Sequence, residues 1–467
     1  MDTAIVWFRR DLRITDNTAL AIAVNRWANV VPVYILSDWR GKHHWTGPNR
    51  QRFLCGCIAS LAQNLEAIGG RLVIRQGEAV KELAKLARET GAQAVCLNRD
   101  PDPFGRRVET DLHEFGGANG VEIVACKDIS LHERDEVLTS AGEPFRVFTP
   151  YARAWAKLEK TEATGAIRKL RTEGPVSSLP LPTLETWGLS AESKELQAGE
   201  KAARDRMKRF LERGLARYST GRNALGEPLT SRLSQDLRFG LISIRELFSK
   251  CREREAELSA SGRKGAQKFI GELIWREFYL AILWHFPEVL EVEFNPKFRG
   301  MKWRGNSKHF ERWCAGETGF PIVDAAMRQL AQTGFMPNRA RMIVAMFLTK
   351  DLLVDWRLGE GHFMQKLTDG EIASNNGGWQ WSAGTGADAA PYFRILNPWT
   401  QSARFDPNGD YIKTWIPELR DVAPGRFAEQ PPPGERLSKR YPAPIVDHAQ
   451  ARNRALEVFG QYKAKSD

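Results

Sequence analysis

Five short runs rich in valine and isoleucine, TAIVWF, VVPVYIL, RLVIRQG, AQAVCLNRD and VEIVACK, punctuate the first part of the chain. Between them, Thr18–Trp27, Arg50–Ile68, Ala79–Glu89 and Arg107–Phe115 carry helical periodicity. Strands that alternate with helices imply a parallel sheet covered by helices on both faces. The C-terminal edge of such a sheet is a natural small-molecule site. No GxGxxG follows the first strand, so a dinucleotide fingerprint of that kind is absent.

The alternation fails between Thr161 and Glu200, where TEGPVSSLPLPTLETWGLSAES is rich in Pro, Ser and Thr and reads as an interdomain linker. Beyond it helical periodicity dominates, in Ala202–Arg217, Ser243–Arg254, Gly265–Phe286, Ile322–Gln332, Asn338–Trp356 and Glu360–Thr368. The expected architecture is a Rossmann-like α/β domain over residues 1–130, a linker over 131–200 and an all-α domain over 201–467. A length of 467 residues agrees with more than one domain.

No apolar run reaches the roughly 18–20 residues that cross a bilayer. The N-terminal MDTAIVWFRRDLR puts its arginines after the apolar run, whereas an export signal puts the charge before it, so a cytoplasmic protein is expected. Six scattered cysteines, with no CxxC pair, read as reduced thiols; neither a disulfide framework nor an iron–sulfur cluster is expected, and no metal site. A formal net charge of +11 favours a polyanionic partner, nucleic acid first, while a basic protein with no such partner stays open on charge alone. The 15 tryptophans are many, and only their positions can give them meaning.

The segment Asp369–Ile395, DGEIASNNGGWQWSAGTGADAAPYFRI, mixes Gly, Asn, Ser and Trp in a way unusual for a helical region. Gly377 and Gly378 permit close backbone approach or positive φ. Asn375 and Asn376 bring amide donors and acceptors. Asp369 and Glu371 suit hydroxyl groups of a ribityl or ribose. Upstream, TSRLS at Thr230–Ser234 places hydroxyls and an arginine before the apolar stretch LRFGLISI, where a pyrophosphate finds donors. Taken alone, TSRLS reads equally as a helix cap.

WFRRDLRITDN at Trp7–Asn17, TSRLS, ELIWREFY at Glu272–Tyr279, GFPIVDAAMRQL at Gly319–Leu330, MPNRARM at Met336–Met342 and DGEIASNNGGWQW at Asp369–Trp381 resemble the photolyase/cryptochrome family, in the family's order. The resemblance runs from near residue 3 to about residue 425. It implies FAD in the helical domain, contacted by Tyr218, Thr230, Ser231, Arg232, Leu233, Ser234, Asn338, Arg341, Asp369, Gly370, Glu371 and Asn375. It implies DNA contacts at Arg222, Glu272, Trp275, Arg276, Tyr279, Asn338, Arg339, Met342, Trp381 and Arg394. Arg341 and Asp369 resemble the ion pair over the flavin. Trp379, Trp356 and Trp303 resemble the chain that reduces the flavin in light. Singly, each would read as a core aromatic.

The resemblance also implies an activity, repair of cyclobutane pyrimidine dimers, in a branch similar to class I or class III photolyases. A dimer flipped from the stack needs aromatic platforms, Trp275 and Trp381; partners for the base edges, Glu272 and Asn338; and cations for the flanking phosphates. Glu272 and Trp275 lie three apart, on roughly one helix face. Asn375 stands at the position facing flavin N5, where plant-type cryptochromes carry Asp and insect types Cys; an amide suits an anionic reduced flavin and so repair. Enzymes for the (6-4) photoproduct use histidines where this chain has MPNRARM, which argues against that lesion. A cryptochrome photoreceptor is the alternative, made less favourable by the lack of a long tail after RNRALEVFGQYKAKSD. A monomer is expected. An antenna chromophore, deazaflavin, flavin or methenyltetrahydrofolate, is implied near RDPDPFGRR (Arg99–Arg107) and GPNRQRF (Gly47–Phe53); ordinary loops remain the other reading of both.

Overall fold

The computed structural model describes residues 2–38, 45–190, 196–227, 229–388 and 394–464. Five parallel strands, β1 (Thr3–Phe8), β2 (Asn29–Leu36), β3 (Val73–Gln76), β4 (Ala94–Asn98) and β5 (Glu122–Cys126), form one sheet in the order β3-β2-β1-β4-β5. Helices α1 (Thr18–Arg26), α2 (Pro48–Ala67), α3 (Ala79–Thr90) and α4 (Pro103–Asn119) make the crossovers. Ile5, Trp7, Val31 and Val33 pack with Leu83 and Leu86 of α3 on one face, while Ala4, Val6 and Phe8 pack with α1 and α2 on the other. Both faces are therefore buried, as crossover helices require.

The segment between sheet and helical domain is not a free tether. Its Leu170, Arg171, Ser178 and Leu179 hydrogen-bond to Ile68, Val30 and Ile74, which covers the edge beside β3 and blunts its pairing potential. It also holds a helix that the sequence reading missed, α5 (Phe148–Lys157). Residues 191–195 of the expected linker lie outside the described residues.

The helical domain comprises α6 (Glu200–Arg213), α7 (Tyr218–Gly221), α8 (Ser234–Arg238), α9 (Ile244–Glu257), α10 (Ala260–His285), α11 (Ser307–Ala315), α12 (Pro321–Thr333), α13 (Asn338–Met346), α14 (Trp356–Lys366), α15 (Ile372–Ala383), α16 (Pro398–Phe405), α17 (Asp410–Trp415) and α18 (His448–Ala464). Two expected helices are corrected. Ala202–Arg217 stops at Arg213, because Gly214 leads into a 3-10 turn at Leu215–Arg217. Asn338–Trp356 is broken: α13 widens into a π-helical turn at Phe347–Asp351, Leu353 takes φ 49°, and α14 restarts at Trp356 with Asp355 accepting from Arg357 N at 3.0 Å. The Gly- and Asn-rich segment is itself largely helix, α15. Gly377 and Gly378 are helical rather than at positive φ, and close approach is the use made of Gly377, where a Cβ would overlap the Tyr279 ring. Residues 389–393 of that segment lie outside the described residues.

Buried ion pairs join the two domains. Asp128, after β5, receives Arg13 and Arg245 at 2.8 Å each, and Arg245 reaches Asp16 at 3.0 Å. Gly240, at φ 61°, lies against the Arg10–Asp11 backbone so closely that a Cβ would collide with it. Among the described residues, no helix is long and apolar enough to cross a membrane.

Candidate functional site

A cavity of about 450 Å³ opens in the helical domain between α7, α8, α10, α13 and α15. Every site residue expected from the sequence lines it except Trp303, Trp356, Arg339 and Arg394.

On one side runs Thr230–Ser234, an irregular turn in which Arg232 takes φ 53° and Ser231 Oγ accepts from Leu233 N at 3.4 Å. The Arg232 guanidinium lies 3.7 Å from the centre of the Phe335 ring, and its Nε is buried without a partner. Burial lowers its pKa, with Asp369 opposing. A half-buried cation whose Nε has no acceptor, in a hydroxyl-lined turn, is a place where an anionic group relieves a cost.

Across the cavity, Arg341 bridges Met336 O at 2.8 Å and Asp369 Oδ2 at 2.7 Å. Asp369 Oδ1 and Trp379 Nε1 are both buried without partners. The wall thus offers an unmatched cation, an unmatched acceptor and an unmatched neutral donor. That set fits a ligand bearing phosphate, hydroxyl and ring heteroatoms, as FAD does. Asn375 lines the cavity and donates its Nδ2 to Glu360 O at 3.2 Å. Its neighbour Asn376 donates to Glu360 Oε1 at 3.0 Å, and burial pushes that carboxyl up to about 8.

Glu371 and Gly370 line the cavity and also serve the contact between the domains. Glu371 is buried and held by Arg10 from the N-terminal domain, by Arg276 at 3.0 Å and by Ser374 Oγ at 3.1 Å. Burial works to raise its pKa, but Arg276, Arg10 and Arg238 outweigh it and hold the carboxylate at about 2. Its carboxylate ties the domains together through Oε1, which receives Arg10 and Arg276, while Oε2 accepts from Ser374 at the cavity wall. Gly370 is required because Arg50 packs where a Cβ would stand, and its carbonyl accepts from Arg238 at 3.2 Å. Arg276, expected on DNA phosphate, lines the cavity and also donates to Ile129 O at 2.8 Å.

The mouth carries the residues expected at DNA bases. Trp275, Tyr279, Met342 and Trp381 are half-buried in its wall, and Asn338 is exposed. Glu272 is ion-paired with Arg222, which turns inward over Tyr218 (5.9 Å), and with Lys268 one helical turn away at 3.5 Å. Lys268 and Phe335 line the cavity and were missed. The i, i+4 spacing from Glu272 pointed to Lys268, whereas nothing local pointed to Phe335.

Trp356 is fully buried, donates its Nε1 to the buried Glu293 at 3.3 Å, and belongs with Trp379 to one apolar cluster on which half-buried Trp303 packs. Trp313, missed in the sequence, lies edge-on to Trp379 with centroids 6.0 Å apart. Outside the cavity, Arg339 donates to Asn223 Oδ1 at 3.1 and 3.0 Å. Burial lowers its pKa, helped by Arg222 and Arg404, so cations cluster there. Arg394 is exposed.

The expected antenna motifs serve the domain junction. Asp100 pairs with Arg10 at 2.9 Å, Asp102 caps α4 at Gly105 N (2.7 Å), Arg106 donates to Trp284 O at 3.1 Å, and Arg50 donates to Met364 O at 2.7 Å.

A doubly covered parallel sheet on a helical domain, with a cavity of unmatched polar atoms behind an aromatic mouth, defines a cofactor-carrying protein. The family profile described as DNA photolyase matches residues 4–168, and the one described as FAD binding domain of DNA photolyase matches residues 269–461. The deoxyribodipyrimidine photo-lyase of Agrobacterium fabrum is 39% identical, across 98% of each chain. A class III photolyase from Agrobacterium tumefaciens is similar in structure, with TM-score 0.91 and 37% identity over 99% of this chain and 98% of that one. An archaeal photolyase from Sulfolobus tokodaii with two FAD molecules gives 0.85 and 31% over 98% and 100%, and a Synechocystis cryptochrome 0.89 and 28% over 98% and 99%. The chain belongs to the DNA photolyase family.

Proposed function

We propose that this protein is a deoxyribodipyrimidine photo-lyase, which repairs cyclobutane pyrimidine dimers in UV-damaged DNA with FAD as its cofactor. The observation that carries the reading is the set of unpartnered buried atoms in one cavity, Arg232 Nε, Asp369 Oδ1 and Trp379 Nε1. The turn Thr230–Ser234 would hold the phosphates, with Tyr218 beside it, and Arg341, Asp369 and Asn375 the ring system. Bound there, reduced FAD would supply light-driven one-electron chemistry for splitting the cyclobutane ring, with no net redox change.

The protein's own work is positioning and charge. Trp275 and Trp381 stack against the flipped bases, Glu272 and Asn338 meet their edges, and Met342 fills the apolar gap. Lesion entry must break or bend the Arg222–Glu272 pair, which frees Arg222 for a phosphate. Arg339 and Arg394 would contact flanking phosphates. Trp303, Trp356 and Trp379 would conduct electrons inward from the surface. The functional units are taken as 1–130, 131–200 and 201–467, in a monomer working in the cytoplasm. A second chromophore in the N-terminal domain is part of the proposal, supported by the two FAD molecules of the S. tokodaii relative.

The test is restoration of thymine absorbance in dimer-containing DNA by purified, reduced protein under blue light. Repair of dimers without repair of (6-4) lesions is expected. Flavin binding with no repair in light would overturn the enzyme reading in favour of a photoreceptor.

A further inference from the structure

Trp275 is held by more than its own helix. The Phe148 ring lies flat on it, with centroids 3.7 Å apart and planes 6° from parallel. Buried Phe278 props both rings edge-on, at 5.9 Å and 75° to Phe148 and at 5.6 Å and 81° to Trp275. Tyr279 leans on Trp275 from another side at 5.4 Å and is itself seated where Gly377 has no Cβ. Phe148 opens α5 in the segment that joins the two domains. Its backbone N–H donates to Asp388 Oδ1 at 3.2 Å, in the loop that leaves α15, where Asp388 takes φ 54°. Trp275 lines the cavity and Phe148 does not, so Phe148 covers a face of the indole that the ligand leaves unused.

We propose that Phe148 is a positioning residue for damaged DNA: stacked behind Trp275, it fixes the plane of the indole on which the flipped pyrimidine dimer docks. A ring with two rotatable bonds that is clamped before the ligand arrives loses less freedom on binding, and the gain appears as affinity. Parallel aromatic contact also holds an orientation, whereas an aliphatic filler of the same space would not. The Asp388 contact ties this clamp to the helix bearing Trp379 and Trp381, so the dimer's platform and the opposite wall share one anchor. The inference rests on the assignment of Trp275 to the lesion.

The experiment compares Phe148→Leu, Phe148→Tyr and Trp275→Ala in the FAD-loaded protein. Binding is measured on the same oligonucleotide with and without a cyclobutane dimer, together with FAD retention. Phe148→Leu should weaken binding to dimer DNA by about twofold to tenfold, the worth of one aromatic pair. Binding to undamaged DNA and FAD retention should not change, and Phe148→Tyr should restore the affinity. In the double variant Phe148→Leu/Trp275→Ala, the Phe148 change should add nothing, because the pair acts as one unit. Indifference of dimer binding to Trp275→Ala would remove the parent assignment and this inference with it. A loss with Trp275→Ala but none with Phe148→Leu would overturn the inference alone. Equal losses on undamaged DNA, or loss of FAD, would reduce Phe148 to a packing residue and overturn it as well.

Discussion

The sheet's C-terminal edge and the cavity of the helical domain are both lined with charged and amide side chains, and they use them in opposite ways. At the sheet edge the groups answer one another. Asp11 accepts from Arg9 N at 2.7 Å and Asn98 Nδ2 at 2.6 Å, Asn98 also donates to Asn17 at 2.9 Å, and Asp128 holds Arg13 and Arg245. Arg9 Nε and Arg75 Nε lack partners there, but the Arg9 guanidinium rests 4.6 Å over the Trp7 ring and that of Arg75 is ion-paired with Glu89. In the cavity, three polar atoms of Arg232, Asp369 and Trp379 stay buried and unmatched. Groups that satisfy each other stabilise the fold, whereas unmatched ones gathered in one cavity leave hydrogen bonds that a ligand can complete.

The comparison breaks most visibly at Asp128. Asp128→Ala leaves buried Arg13 without its carboxylate and Arg245 with Asp16 alone, and should destabilise the protein by about 3 kcal/mol, read by denaturant unfolding, with FAD affinity of the surviving fold unchanged. Glu371 should show itself through pH. Its pKa is held near 2 against an ordinary 4.5, so between those values the unfolded chain binds more protons than the folded one. Stability contributed by this group is present above about 4.5 and is lost as pH falls towards 2, on the order of 3 kcal/mol in all. Glu371→Gln should flatten that part of the acid unfolding curve; an unchanged curve would remove the interdomain role.

Arg232→Ala tests the unmatched side. Charged hydrogen bonds contribute about 1.5–3 kcal/mol, so FAD should dissociate roughly tenfold to a hundredfold more readily. The apoprotein should keep its stability, because the lost cation had no acceptor. Full flavin retention, measured by ultrafiltration, would contradict the phosphate assignment. The smallest effect belongs to the mouth: Arg339→Ala should weaken DNA binding and lower the slope of log affinity against log salt by about one.

Much of the architecture was legible because it is written in local periodicity. The valine- and isoleucine-rich runs became β1 to β5, and the long apolar pattern around Gly265–Phe286 became α10. Helices α5, α11 and α15 were missed. The α15 pattern is diluted by Asn375, Asn376, Gly377 and Gly378, which answer to neighbours such as Glu360 and Tyr279 rather than to helix propensity. The break after Met346 was hidden because Phe347–Asp351 keeps an apolar pattern while its backbone widens to a π turn.

The sequence by itself determined which side chains gather in the cavity, since motifs carry residue types in an order that a fold can only bring together. It also determined the basic charge that draws a polyanion. Only the tertiary structure decided how each polar group is spent. Glu371 and Arg276 look from the sequence like ligand contacts only, yet Arg10, 361 residues from Glu371, also binds that carboxylate, and Ile129 O also receives Arg276. Phe148 shows no signal beside Trp275 until α5 folds back across α10 and the two rings stack. Hydrogen bonds and stacking act over a few ångströms of space, and the partners that decide them stand hundreds of residues apart along the chain.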